Sequence, residues 1–241
     1  MIGRRLLALG LAAALLAACA APPPPRVVPP AGTDPTAPEP RWGALRFRFP
    51  WPPGGDPAWH LDLLFADRVL RPILEREAHG ILLWRLHRRA VRDGAGHQLS
   101  LLFFADPGTA RRVLAAAAAH PLVARAREAG RLTEFLAEQT ASARLADTSD
   151  PSWPEALRAA WPHYIAGASR MWLELVHAFA PAGEPCGAAE DLDFLERGYR
   201  ETAARLDALW QEEGLHAFLH HLNALFGYAP IVVIEERRLR F

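Results

Sequence analysis

Lysine is missing from this chain: all 27 basic residues are arginine. Without it there can be no phosphate-loop lysine, no pyridoxal Schiff base, no protein-kinase lysine and no Ser-x-x-Lys nucleophile. Net charge is missing too, since 27 acidic residues balance the 27 basic ones, which argues against a general nucleic-acid binder. No Gly-x-Ser-x-Gly element occurs, and Ser100, Ser142, Ser149, Ser152 and Ser169 stand among neighbours that suggest no serine chemistry. Cysteine is almost absent. Only Cys19 and Cys186 occur, so if one is modified the other has no intramolecular disulfide partner. The apolar run Leu6–Leu16 has eleven residues, too few to span a bilayer as a permanent helix.

What is present begins at the N-terminus. Arg4 and Arg5 precede the apolar run, and Leu16-Ala17-Ala18-Cys19 closes it. Charge, length and small residues together read as a secretory signal. A cysteine directly after Leu-Ala-Ala resembles the lipobox of bacterial lipoproteins. The resemblance implies cleavage before Cys19, diacylglycerol on its sulfur and acylation of its new amino group. By the sorting tendency of such lipoproteins, the resemblance also implies the outer membrane, since Ala20 rather than Asp follows the cysteine. Two or three acyl chains, at about 0.8 kcal/mol per buried methylene, would make a lasting anchor. Ala20–Arg41 then carries nine prolines. Proline cannot donate a backbone hydrogen bond and favours the extended polyproline II form, so the segment is a spacer reaching about 60 Å. The organisation expected is a leader over 1–18, a lipidated cysteine and linker over 19–41, and one globular domain over 42–241, helix-rich from about 151. Eight Trp and eleven Phe can fill its core.

Residues 44–50 alternate, with Leu45, Phe47 and Phe49 on one side and Arg46 and Arg48 on the other, as in a half-buried strand. Asp56 is placed to cap a helix opened by Pro57, which Pro72 should kink or restart. Residues 59–66 keep helical spacing, although His60-Leu-Asp-Leu-Leu-Phe-Ala-Asp67 also echoes the strand-like Gln98-Leu-Ser-Leu-Leu-Phe-Phe-Ala-Asp106; the spacing favours helix. Two strand-compatible runs, 81–91 and 98–105, flank an Asp93-Gly94 turn. Asp106-Pro107 introduces an alanine-rich helix, Pro121 opens another turn or two, Gly130 stops it, and Leu132–Leu136 supplies a fourth strand. Strand, helix, hairpin, helix, strand is the order of a ferredoxin-like α+β sandwich. Helical stretches over 153–180 and 189–226 follow, interrupted by Pro162 and Gly214. Trp161, Ile165, Met171, Leu175 and Phe179 are expected as one core stripe, and Leu192, Leu195, Leu206 and Leu209 as another. Ile231–Ile234 reads as a closing strand.

The hairpin runs Ile81-Leu-Leu-Trp-Arg-Leu and Gln98-Leu-Ser-Leu-Leu-Phe, with His220-His221-Leu222-Asn223-Ala224-Leu225-Phe226-Gly227, resemble the thiopeptide-type bacteriocin biosynthesis and lantibiotic dehydratase C-terminal domains. The resemblance implies an α+β fold. Where that family carries strand arginines to hold a glutamyl ester during elimination, this chain has Ser100 and Leu102, and Ala224 replaces the arginine after Asn223.

Three sets of residues are candidates for function. Arg46, Arg48, Arg85, His87 and Arg89 occupy alternate strand positions and could form a cationic face for an anionic ligand, unless they pair with Glu134, Glu235 and Glu236. Glu212, His216 and His220 are four residues apart beside His221, a spacing that can grip zinc, though without the glutamate between histidines that marks the zincin motif. Cys186 lies in a Gly-Glu-Pro-Cys-Gly loop before a helix whose N-terminus could lower a thiol pKa and support a Cys–His hydrolase. The reading that follows is a non-enzymatic lipoprotein on the periplasmic face of the outer membrane, binding an anionic envelope ligand or a protein partner, with no cofactor and no nucleic acid. The alternative is an envelope enzyme using His216 and His220 or Cys186.

Overall fold

The computed structural model describes residues 39–181 and 191–228, all within the compact unit Pro38–Phe241. The leader, Cys19, the linker up to residue 38, Cys186, the closing strand at Ile231–Ile234, Glu235 and Glu236 lie outside the described residues.

Among the described residues, four antiparallel strands form one sheet in the order β2-β3-β1-β4. They are β1 (Arg41–Phe49), β2 (Ile81–Ala90), β3 (His97–Ala105) and β4 (Glu134–Gln139). Chain order and strand order together are those of the expected sandwich. In β1 the parity holds: Leu45, Phe47 and Phe49 are buried with Leu99, Leu101 and Phe103 of β3, while Arg46 and Arg48 face the other way. One core lies on that face, covered by α1 (Trp59–Phe65) with α2 (Arg71–Arg76), and by α3 (Pro107–Ala118) with α4 (Pro121–Glu128). Phe47 and Phe65 pack with ring centres 5.2 Å apart.

Local signals explain most boundaries. The helical reading of 59–66 holds, but α1 starts later than Asp56 suggested. Ala58 is its cap residue, and no side chain caps it. The disturbance expected at Pro72 takes the form of a π-helical turn, Ala66–Leu70, between α1 and α2. A wider turn removes the clash between a proline ring and the carbonyl four residues earlier. Asp106 caps α3 by accepting from the amides of Gly108 and Thr109 at 2.7 and 3.0 Å. Gly130, at φ +68°, ends the turn after α4. β4 begins two residues later than expected, because Leu132 is drawn into the core before pairing begins.

Beyond the sandwich lie α5 (Glu155–Phe179) and α6 (Leu192–Glu213), then a π-helical segment, Gly214–His220, and α7 (His221–Leu225). Gly214 thus interrupts its helix by widening it. Pro162 does not interrupt α5. A proline there orphans the carbonyl of Arg158, and the hydroxyl of Ser149 donates to that oxygen at 2.8 Å. The α5 stripe is also rotated from its expected position. Ser169, Leu173 and Val176 are buried, while Met171 is exposed. The reason lies in what α5 meets. It packs on the outer edge of β2, where the Leu86 amide needs an acceptor and finds Ser169 Oγ at 2.9 Å, so a serine belongs on that face. In α6 the buried positions are Leu195, Glu196, Tyr199 and Thr202, with Leu206 and Leu209 only half-buried. No helix among the described residues is long and apolar enough to cross a membrane.

Candidate functional site

The sheet register brings the five residues of the anticipated cationic face together. Arg46 and His87 flank Ser100, Arg48 and Arg89 flank Gln98, and Arg85 stands opposite Leu102, all on the face away from the core. Most of that charge is matched. Arg46 pairs with Glu138, Arg48 with Glu134 and Arg89 with Asp93. Glu134 was anticipated as a partner; Glu138 and Asp93 were not. Arg48 also donates to Gln98 at 3.2 Å, and Gln98 donates to Ser100 Oγ at 2.8 Å. Arg85 donates to the Thr148 carbonyl at 3.1 Å, and burial holds its guanidinium below the usual arginine range. The face is therefore a lattice of half-exposed pairs, each contributing about 0–1 kcal/mol, rather than an open cluster of cations.

His87 titrates below the ordinary histidine range, first because of burial and then because of Arg85 and Arg89. His60 and His120 are lowered as well, again chiefly by burial. An unfolded chain, with histidines near pKa 6.5, takes up protons that these folded sites refuse. The stability they contribute is present above that pH and is lost as pH falls below it. Urea unfolding midpoints are expected to be lower at about pH 5.5 than at about pH 7.5; an equal or higher midpoint at the lower pH would contradict this.

The π-helical segment and the first residue of α7 bring three imidazoles together. His216, His220 and His221 have ring centres 5.3–5.4 Å apart, and Tyr228 Oη lies 3.4 Å from His220 Nε2. Among the described residues, no three His, Cys, Asp or Glu side chains are arranged to hold a metal ion.

One concavity among the described residues is one the sequence did not suggest. A groove of about 440 Å³ opens between α1, the end of β2, α5, α6 and the π-helical segment. Trp59, Trp172, Leu206, Trp210 and Phe218 give it an apolar and largely aromatic lining, and Arg88 supplies a cation. Arg88 lies on the core-facing parity of β2, where an arginine survives only with compensation. Asp62 of α1, fully buried, accepts from Arg88 Nε at 2.8 Å. The buried His97 brings Nε2 within 3.0 Å of the other Asp62 oxygen. The guanidinium carbon lies 5.0 Å from the Trp59 ring centre and 4.9 Å from that of Trp172, so two indoles hold it by cation–π contact. The clue in the sequence was an aspartate inside the apolar run 61–65 and an arginine in phase with Trp84 and Leu86.

A second buried acid joins the layers. Tyr199 Oη donates to Asp67 Oδ2, and His177 Nδ1 lies 2.8 Å from Asp67 Oδ1. Arg68 donates to Tyr199 Oη at 2.8 Å and to the Pro181 carbonyl at 3.2 Å. Burial, and then the Asp67 charge, push the Tyr199 phenol well above its ordinary range, so it acts as a neutral donor.

No family model matches this chain, and no curated protein matches it. Among solved structures, TsrL superposes with a TM-score of 0.37 at 14% identity, over 78% of this chain and 49% of TsrL. The chain thus spans about half the length of TsrL. Resemblance this weak leaves the site to be read from its own residues.

Proposed function

We propose that this chain is a lipid-anchored envelope lipoprotein whose α+β domain is a binding module, held on the periplasmic face of the outer membrane through Cys19. The lipobox-like Leu16–Cys19 and the proline-rich spacer support the address. The groove at Arg88 supports the activity. Ligand sites are concave, mostly apolar and marked by a few fixed polar groups, and about 440 Å³ lined by three tryptophans, a phenylalanine and one clamped arginine has that character. The ion-paired sheet face offers a weaker site, because an anion would have to displace Glu134, Glu138 or Asp93 to reach the arginines.

The test has two parts. Cys19→Ala should release the chain from the membrane fraction, and retention there would refute the anchor. The mature chain from residue 19, carrying Cys19→Ser so that no lipid is attached, should bind the neutral fluorophore N-phenyl-1-naphthylamine. Leu206→Trp, which fills the groove, should weaken that binding by about tenfold or more, a loss of about 1.4 kcal/mol. Binding that is absent, or indifferent to Leu206→Trp, would remove the groove as the ligand site.

A further inference from the structure

We infer that the groove selects a single-chain amphipath with a carboxylate head, the head seated on Arg88 and the chain lying along Trp172, Leu206, Trp210 and Phe218. The inference rests on the groove being the ligand site and adds the class of ligand it takes.

The head group follows from what Arg88 has left to give. A guanidinium carries five N–H donors. Among the described residues Arg88 uses one toward Asp62 Oδ2 at 2.8 Å and one toward the Trp59 carbonyl at 3.3 Å. The remaining donors belong to its outer end, and the side chain stays 28% exposed in the wall of the groove. The outer nitrogens of a guanidinium present a planar fork that matches a carboxylate. Trp59 and Trp172 flank the guanidinium, so it is already positioned, and binding costs little side-chain ordering.

Charge points the same way. Asp62 holds Arg88 in place from the buried side, and His97 lies within 3.0 Å of that same carboxylate, which divides its attention between two partners. A cationic head would meet the like charge of Arg88. A neutral head would satisfy the free donors without the added strength of a charged acceptor. The lining beyond Arg88 is aliphatic and aromatic, apart from Asp207 on the α6 side, and suits an acyl or arylalkyl chain.

The experiment uses the mature chain with Cys19→Ser, with N-phenyl-1-naphthylamine as the reporter. Dodecanoate, dodecanol and dodecyltrimethylammonium, which share one chain and differ in head, are titrated as competitors. Hydrogen bonds to charged groups are worth more than neutral ones, so dodecanoate should displace the reporter at about tenfold lower concentration than dodecanol. The ammonium compound should be the weakest of the three. In Asp62→Asn/Arg88→Gln, which removes both partners of the buried pair together, the dodecanoate-to-dodecanol ratio should fall toward one. If that variant does not fold, the wild-type series decides alone. Dodecanoate and dodecanol acting within about threefold of each other would overturn the head-group assignment while leaving the groove in place. A reporter that none of the three displaces would instead refute the groove as a ligand site, and with it both readings.

Discussion

Asp62→Asn should cost about 3–5 kcal/mol, the usual penalty for breaking a buried ion pair from one side. For a domain of this size that lowers Tm by roughly 6–20 °C. Asp62 has no solvent-exposed surface and answers two basic side chains, Arg88 at 2.8 Å and His97 at 3.0 Å. Asparagine keeps the shape but removes the charge, and its amide NH2 would face either the Arg88 Nε donor or the nearby His97 ring nitrogen. His97 is itself fully enclosed, so it cannot turn to water for a substitute. Arg88 retains some solvent contact, which should place the loss toward the lower end of the range. Urea unfolding followed by tryptophan fluorescence measures it directly. A loss below about 1 kcal/mol would mean that Arg88 swings out to water and the pair contributes little, as most exposed pairs do. The double variant Asp62→Asn/Arg88→Gln should lose less than the two single variants added together, because the pair is removed as a unit.

The sandwich was legible because its signals are local. Parity in β1 needs only Leu45, Phe47 and Phe49 against Arg46 and Arg48, and the α3 cap needs Asp106. The hairpin turn needs Asp93, which accepts from the Ala95 and Gly96 amides, although the glycine at positive φ is Gly96 rather than Gly94. The face of α5 was not legible for the opposite reason. Whether Ser169 or Met171 turns inward depends on the strand edge it meets, and that edge, at Leu86, is 83 residues away in sequence. Pro162 is tolerated because of Ser149, a residue that looks like part of a turn-rich break. The groove collects one tryptophan from α1, an arginine from β2, a second tryptophan from α5 and a third from α6, and no window along the chain contains two of them. Asp62 is an acid among apolar neighbours, a signal that went unread, and its partner Arg88 is 26 residues on and on another element. The candidate face was visible as a pattern of cations. Its neutralisation by Glu138 depends on β4 pairing with β1, which follows from the fold rather than from the spacing.

Asp67→Ala should produce the second large loss, also about 3–5 kcal/mol, and with a different spatial signature. Asp67 sits on the π-helical turn between α1 and α2, while Tyr199 and His177 reach it from α6 and α5. Its removal leaves the Tyr199 hydroxyl without its acceptor and Arg68, whose side chain is nearly enclosed, without the neighbouring negative charge. Tyr199→Phe removes one hydroxyl from the same junction and should cost about 1–3 kcal/mol, the penalty for stranding a buried polar partner. Leu173, Val176, Leu195 and Tyr199 share one apolar core with the sheet, but the polar contacts of Asp67 run to α5 and α6, so the damage should concentrate where those helices dock. Hydrogen exchange should therefore speed up in 164–179 and 192–206 well before it does in β1 and β3, as expected when one layer opens below the global unfolding free energy. Because α5 and α6 also form one wall of the groove, N-phenyl-1-naphthylamine binding should weaken in Asp67→Ala even at temperatures where the sheet remains intact. Equal loss of protection in β1 and β3 would show instead that both layers unfold as a single unit, and that Asp67 stabilises the whole domain rather than the docking of its outer helices.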